Sequence, residues 1–135
     1  MEQMSIIHLW IGKTDKEEDE YLKYFELDYS TEGDFDDPEY EVCQFCKDIG
    51  EKWYDEDFIG IIPLFNNELS IKEILKQVPI ANEEIKNVVS KAEGLGVLSG
   101  NAVFYLTDSE VELPKPYKSN YNDLRYIGKF KSSLK

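Results

Sequence analysis

Residues 5–11 read SIIHLWI, an apolar run broken only by His8, and the reading of this run decides the fold. It is too short for a core helix and rich in β-branched residues, so it reads as a buried strand that Gly12 and Lys13 end. Working outward, Thr14 with Glu17 makes a capping box, and acids fill the turn that follows. Leu22 and Phe25, with Glu18 and Tyr21 on the same side, predict a helix of about three turns with an aromatic inner stripe. An acidic loop comes next. Asp37 then predicts a cap, with Pro38 at the first helical position. Val42, Phe45, Cys46 and Ile49 share one face of that second helix, and Gly50 stops it.

Phe58–Phe65, FIGIIPLF, is a second strand, and Pro63 places it at an edge or ends its ladder early. Ser70 with Glu73 caps a third helix with Ile71, Ile74, Leu75 and Val78 inside, closed by Pro79. Asn82 predicts the cap of a fourth, with Ile85, Val88, Val89 and Ala92 inside and Gly94 and Gly96 breaking it. Ala102–Leu106, AVFYL, is a third strand. A polar stretch with Pro114 and Pro116 leads to LRYIGKF (Leu124–Phe130), a fourth. The expected order is β-α-α-β-α-α-β-β. It predicts an α+β fold, a mixed sheet of about four strands with helices packed on it, in one domain over residues 1–135.

The 135 residues carry a formal charge of −13. Residues 15–57 alone hold eighteen acids and four bases, so the whole imbalance sits in one third of the chain. Such a field repels nucleic acid and anionic membranes and attracts basic proteins or cations. Solubility favours excess acid too, but it does not call for this segregation. An apolar content of 41% argues against disorder. No apolar run approaches the roughly 18 residues of a membrane span. The first residues, MEQMSIIHLWIG, lack the basic region of a signal peptide, so a cytoplasmic protein is expected.

Four features compete for a function. Asp28–Glu39, DYSTEGDFDDPE, places Asp28, Ser30, Glu32, Asp34 (through its carbonyl), Asp36 and Glu39 at the ligand positions of a calcium loop. Gly33 falls at the turn and Phe35 at the apolar eighth place, between two predicted helices. Pro38 inside the loop and the lack of a second loop argue against it. Cys43 and Cys46 form a C-x-x-C pair. Cys43 is expected about six residues into a helix among carboxylates, which disfavour thiolate, so the pair reads as packing. His8 lies in a buried strand and reads as structural, although an acid–His8 enzyme stays open as a third reading. Gly94-Leu95-Gly96 and Gly100 lack the strand and lysine of a phosphate loop. Neither a catalytic constellation nor a cofactor is called for.

Lys52–Asp57, KWYDED, combines aromatic anchors with charge, as interface hot spots do. Together with the acidic loop it nominates Asp34, Asp36, Asp37, Trp53, Tyr54, Asp55, Glu56 and Asp57 as partner-facing, with Trp53 or Tyr54 buried beneath the loop as the plainer alternative.

Four segments, IIHLWIG (Ile6–Gly12), YFELDYSTEGDFDDPEY (24–40), CQFCKDIGEKWYDEDFIG (43–60) and YIGKF (Tyr126–Phe130), resemble the immunity protein 22 family of bacterial toxin systems. The resemblance implies an α+β cytoplasmic protein, encoded beside a polymorphic toxin, that binds and neutralises it without catalysis. The matched positions Asp28, Gly33, Asp34, Phe35, Cys43, Trp53, Asp55 and Asp57 are fold-bearing or partner-facing. Many toxin domains are nucleases with basic active faces, so the expected partner is a basic toxin, held by charge complementarity that salt weakens.

Overall fold

A computed structural model describes residues 6–31, 36–54, 56–107 and 111–133. The opening run forms strand β1 (Ile6–Gly12). Short helices α1 (Glu18–Lys23) and α2 (Gln44–Ile49) follow, then a single 3-10 turn, Glu56–Phe58, and strand β2 (Ile59–Ile61). Strand β3 (Leu69–Ser70) leads into α3 (Ile71–Leu75), and a 3-10 turn at Asn82–Glu84 leads into α4 (Ile85–Gly94). Strands β4 (Ser99–Gly100), β5 (Ala102–Leu106) and β6 (Leu124–Lys131) complete the chain.

The main sheet has the order β2-β5-β1-β6, and β3 pairs with β4 in a small second sheet. Every pairing is antiparallel, where the sequence suggested a mixed sheet; the α+β class and the four main strands stand as expected. β2 is an edge strand that stops two residues before Pro63, as a residue without an N–H requires. On β2, Gly60 lies opposite Tyr105 of β5, whose ring covers the space a side chain would fill.

β1 explains the apolar run. It lies between β5 and β6 and is covered on both faces, so alternate side chains enter different cores. Ile7, Leu9 and Ile11 point into an aliphatic core with Ile71, Ile74, Leu75 and Val88 from α3 and α4. Trp10 points the other way, into an aromatic core with Tyr21, Phe25, Phe45, Phe104 and Tyr121. Its ring stacks on Phe104 at 4.7 Å and meets Phe45 edge-on at 5.6 Å. Such pairs add about 0.5–1.5 kcal/mol each beyond area burial. On β6 a bulge opposite Leu9 and Trp10 lets Tyr126 join the aromatic core and Ile127 the aliphatic one.

Several local expectations change. Thr14 does not cap α1: its hydroxyl donates to Asp123 at 2.7 Å, and the helix starts after Glu17. The inner stripe of α1 is Tyr21, carried on by Tyr24 and Phe25, while Leu22 is 43% exposed. Asp37 does not cap α2, which begins seven residues later; its carboxylate accepts from the Glu39 N–H in a local turn. An Asp before a Pro serves a turn as well as a helix start, and here the turn wins. Gly50 ends α2 as expected, with φ at +76° in the left-handed region. Ser70 caps α3 through the Glu73 N–H as expected. Ala81 rather than Asn82 precedes the turn into α4. No helix among the described residues is long and apolar enough to cross a membrane.

Candidate acidic interface

The acid-rich segment lies on one side of the sheet. Among its described residues, the buried apolar side chains from Tyr21 to Tyr54, Tyr40 apart, enter the aromatic core, and none enters the aliphatic core. Acids therefore crowd the outside of the layer whose inside is aromatic. Asp15, Glu17, Glu18, Asp19, Glu20 and Glu26 are exposed along α1 and its flanks, and Glu39, Glu41, Glu51, Glu56 and Asp57 are exposed on the loops beyond. Acids at the start of α1 and Lys23 at its end also suit the helix dipole.

Tyrosine hydroxyls hold these loops together. Tyr54 donates to the carbonyl of Phe25 at 2.5 Å, and Tyr40 donates to the carbonyl of Lys52 at 2.7 Å. Tyr29 donates to the Glu56 carboxylate. Asp28 accepts from the backbone N–H groups of Ser30 and Glu41, each at 2.9 Å, and the Ser30 side chain together with these N–H groups holds its carboxyl below the usual range. Under the surface, Asp48 is 7% exposed and takes three donors: Tyr24 and Lys118, both at 2.6 Å, and Gln44 at 3.0 Å. Burial and that carboxylate push the Tyr24 hydroxyl far above its ordinary value, so it stays a donor.

Two adjoining clefts open between these ties. The first, about 360 Å³, has Leu22, Phe25, Tyr54 and Ile61 as its apolar wall and Asp19, Glu26 and Glu56 among its acids. The second, about 630 Å³, runs past Leu27, Tyr29, Val42 and Cys43, with Asp28 and Glu41 beside it. Both share Lys23 and Glu26. Together they make a groove with an apolar floor and an acidic rim, a form that receives a side chain with an apolar stem and a cationic head.

The residues singled out in the sequence fare unequally. Asp34 and Asp55 lie outside the described residues, as do Glu32, Gly33 and Phe35. Asp36 is exposed and meets Lys52 at 2.6 Å, which brings the acidic loop beside Trp53. Asp37 is half-buried in its turn. Trp53 is 46% exposed, but Tyr54 is 6% exposed and supports the cleft from beneath. Glu56 and Asp57 are exposed on the 3-10 turn Glu56–Phe58.

Among the described residues the calcium geometry is not assembled. α1 ends five residues before Asp28 and α2 starts five after Glu39, so the helices expected to flank the loop do not flank it. Backbone N–H groups occupy Asp28, and Lys52 meets Asp36. Among the described residues no three His, Cys, Asp or Glu come together as metal ligands. His8 is wholly buried, with its Nδ1 hydrogen-bonded to the Tyr126 hydroxyl at 2.8 Å.

Sequence reasoning overlooked the cleft residues of α1 and the turn after it, above all Asp19, Leu22 and Glu26. The available signal was Tyr21, Tyr24 and Phe25, whose spacing turns Leu22 outward. A family model described as Immunity protein 22 matches residues 7–132. The chain belongs to the Immunity protein 22 family. No curated protein and no solved structure matches it. For an Immunity protein 22 member, the exposed acids over the aromatic layer are the feature to weigh.

Proposed function

We propose that this protein is the immunity partner of a toxin with a basic active face, and that it blocks that face with the groove between α1 and residues 54–61. One observation supports the reading: among the described residues of the acid-rich segment, the buried apolar side chains other than Tyr40 enter the aromatic core, and an apolar cleft opens among its exposed acids. A nuclease-type toxin fits this chemistry because its substrate is anionic and its active face must be cationic. Carboxylates spread over the groove rim speed encounter and fix orientation, while Leu22 and Ile61 offer apolar area to the docked side chain.

The test pairs the chain with the product of the neighbouring toxin gene. Binding is measured at low and at physiological salt, for wild type, Asp19→Lys/Glu26→Lys and Glu83→Lys/Glu93→Lys. The first pair borders the groove, and the second flanks α4 on the opposite side of the sheet. Groove reversal is expected to weaken binding at least about tenfold, or ~1.4 kcal/mol, with the α4 variant close to wild type. No association at low salt overturns the reading; equal losses in the two variants overturn the place of the site.

A further inference from the structure

Cys43 and Cys46 bracket the first turn of α2, with their Sγ atoms 3.0 Å apart. A disulfide bond is about 2.05 Å long, so closure needs a sulfur shift of about 1 Å. Both cysteines are free thiols. They differ in access: Cys46 is fully buried in the aromatic core, whereas Cys43, 8% exposed, forms part of the wall of the second cleft beside Glu41 and Val42. One thiol is thus reachable from solvent and the other stands behind it.

The sequence placed Cys43 deep in a helix. It is instead the residue before the first helical turn, and its sulfur accepts from the Cys46 N–H at 3.3 Å. The hydrogen bond with the Cys46 thiol, helped by the backbone N–H groups of Cys46 and Phe45, draws Cys43 down to about 7, against burial and the nearby Asp48. Close donors outweigh more distant carboxylates. Cys46 is pushed far up by the same partnership and by burial. The other titratable groups around the pair are Glu41, Glu51, Tyr24, Tyr40 and Tyr54, and all three tyrosines are raised, so they stay protonated through neutral pH.

We propose that Cys43 and Cys46 are a redox-active dithiol that closes by exchange with an external disulfide, Cys43 attacking and Cys46 resolving. The Cys43 thiolate, its proton already lost to water, attacks one sulfur of the external disulfide. That bond breaks, and the departing thiolate takes a proton from water. Cys46 then attacks Cys43 Sγ, the mixed disulfide breaks, and the second departing thiolate takes the proton that Cys46 gives up. Two protein thiols lose two electrons, and the external disulfide gains them as two thiols.

Oxidised glutathione is the probe, applied to the full chain, with acid quenching, alkylation and peptide mass mapping. Wild type is expected to lose two hydrogens, resist alkylation at both cysteines, and accumulate no glutathione adduct. Cys46→Ser is expected to trap one glutathione on Cys43, at least tenfold faster than Cys43→Ser reacts at Cys46. The wild-type rate, which needs no variant to fold, levels off at a lower pH than an ordinary thiol's would, because the bond with Cys46 and the nearby N–H groups hold Cys43 below its ordinary value. The proposal is overturned if wild type keeps two alkylatable thiols in excess oxidant or accumulates a persistent adduct. A rate that climbs unbroken to pH 9 overturns the attacking role of Cys43.

Discussion

The two faces of the sheet are built by different rules. The aliphatic face is covered by α3 and α4, whose Ile, Leu, Val and Ala side chains fall at helical spacing. The aromatic face is covered by two six-residue helices and long loops, held by stacked rings and hydroxyl ties. Regular helices satisfy their own backbone and need only an apolar stripe. Loops crowded with like charge repel one another and need specific ties to stay down. The division suggests a scaffold on one side and a working surface on the other, joined through β1.

The largest effect expected is from Trp10→Ala, which empties the centre of the aromatic core and costs about 3–5 kcal/mol in a urea melt. A loss under about 1 kcal/mol would break the idea that this core holds down the acidic layer. Next, Ile74→Ala on the aliphatic face is expected to cost about 2–4 kcal/mol while leaving toxin affinity of the folded fraction unchanged. A tenfold drop in that affinity would end the separation into scaffold and working surface.

Smaller changes sharpen the contrast within the aromatic layer. Tyr24→Phe removes a donor from buried Asp48, for a loss of about 1–2 kcal/mol. Tyr21→Phe is expected to fall within about 0.5 kcal/mol of wild type, since the Tyr21 hydroxyl, although buried, has no hydrogen-bond partner among the described residues. Equal losses would mean that the tie to Asp48 contributes nothing beyond the removal of a buried hydroxyl. The smallest effect concerns Asp28, whose native value lies below the ordinary 3.8 because the Ser30 side chain and the N–H groups of Glu41 and Ser30 bond its carboxylate. Its contribution is full above the ordinary value and fades as pH falls through the lowered one. Acid titration of stability should therefore fall more steeply below pH 4 for wild type than for Asp28→Asn.

What was legible in the sequence follows the same division. Strand β1, strand β5, the Ser70 cap and the inner stripe of α4 were readable because periodicity and capping are local signals. The aromatic side misled. Capping residues at Thr14 and Asp37 were spent on long-range and turn bonds, and both helices came out shorter than their patterns suggested. Acid clustering was visible, but its one-sidedness depends on which core Tyr21, Phe45 and Tyr54 enter, and no local pattern states that. The C-x-x-C pair packs in the aromatic core as expected, but Cys43 stands just before its helix and not six residues into it.

Tyr29, Tyr40 and Tyr54 do their tying without bringing any positive charge. Where a lysine moors the layer instead, as Lys52 does at Asp36 and Lys118 at Asp48, the tie cancels part of the very potential that makes the surface attractive to a cation. Each phenol fastens its loop without that loss, so at these three points rigidity is not traded against anionic strength.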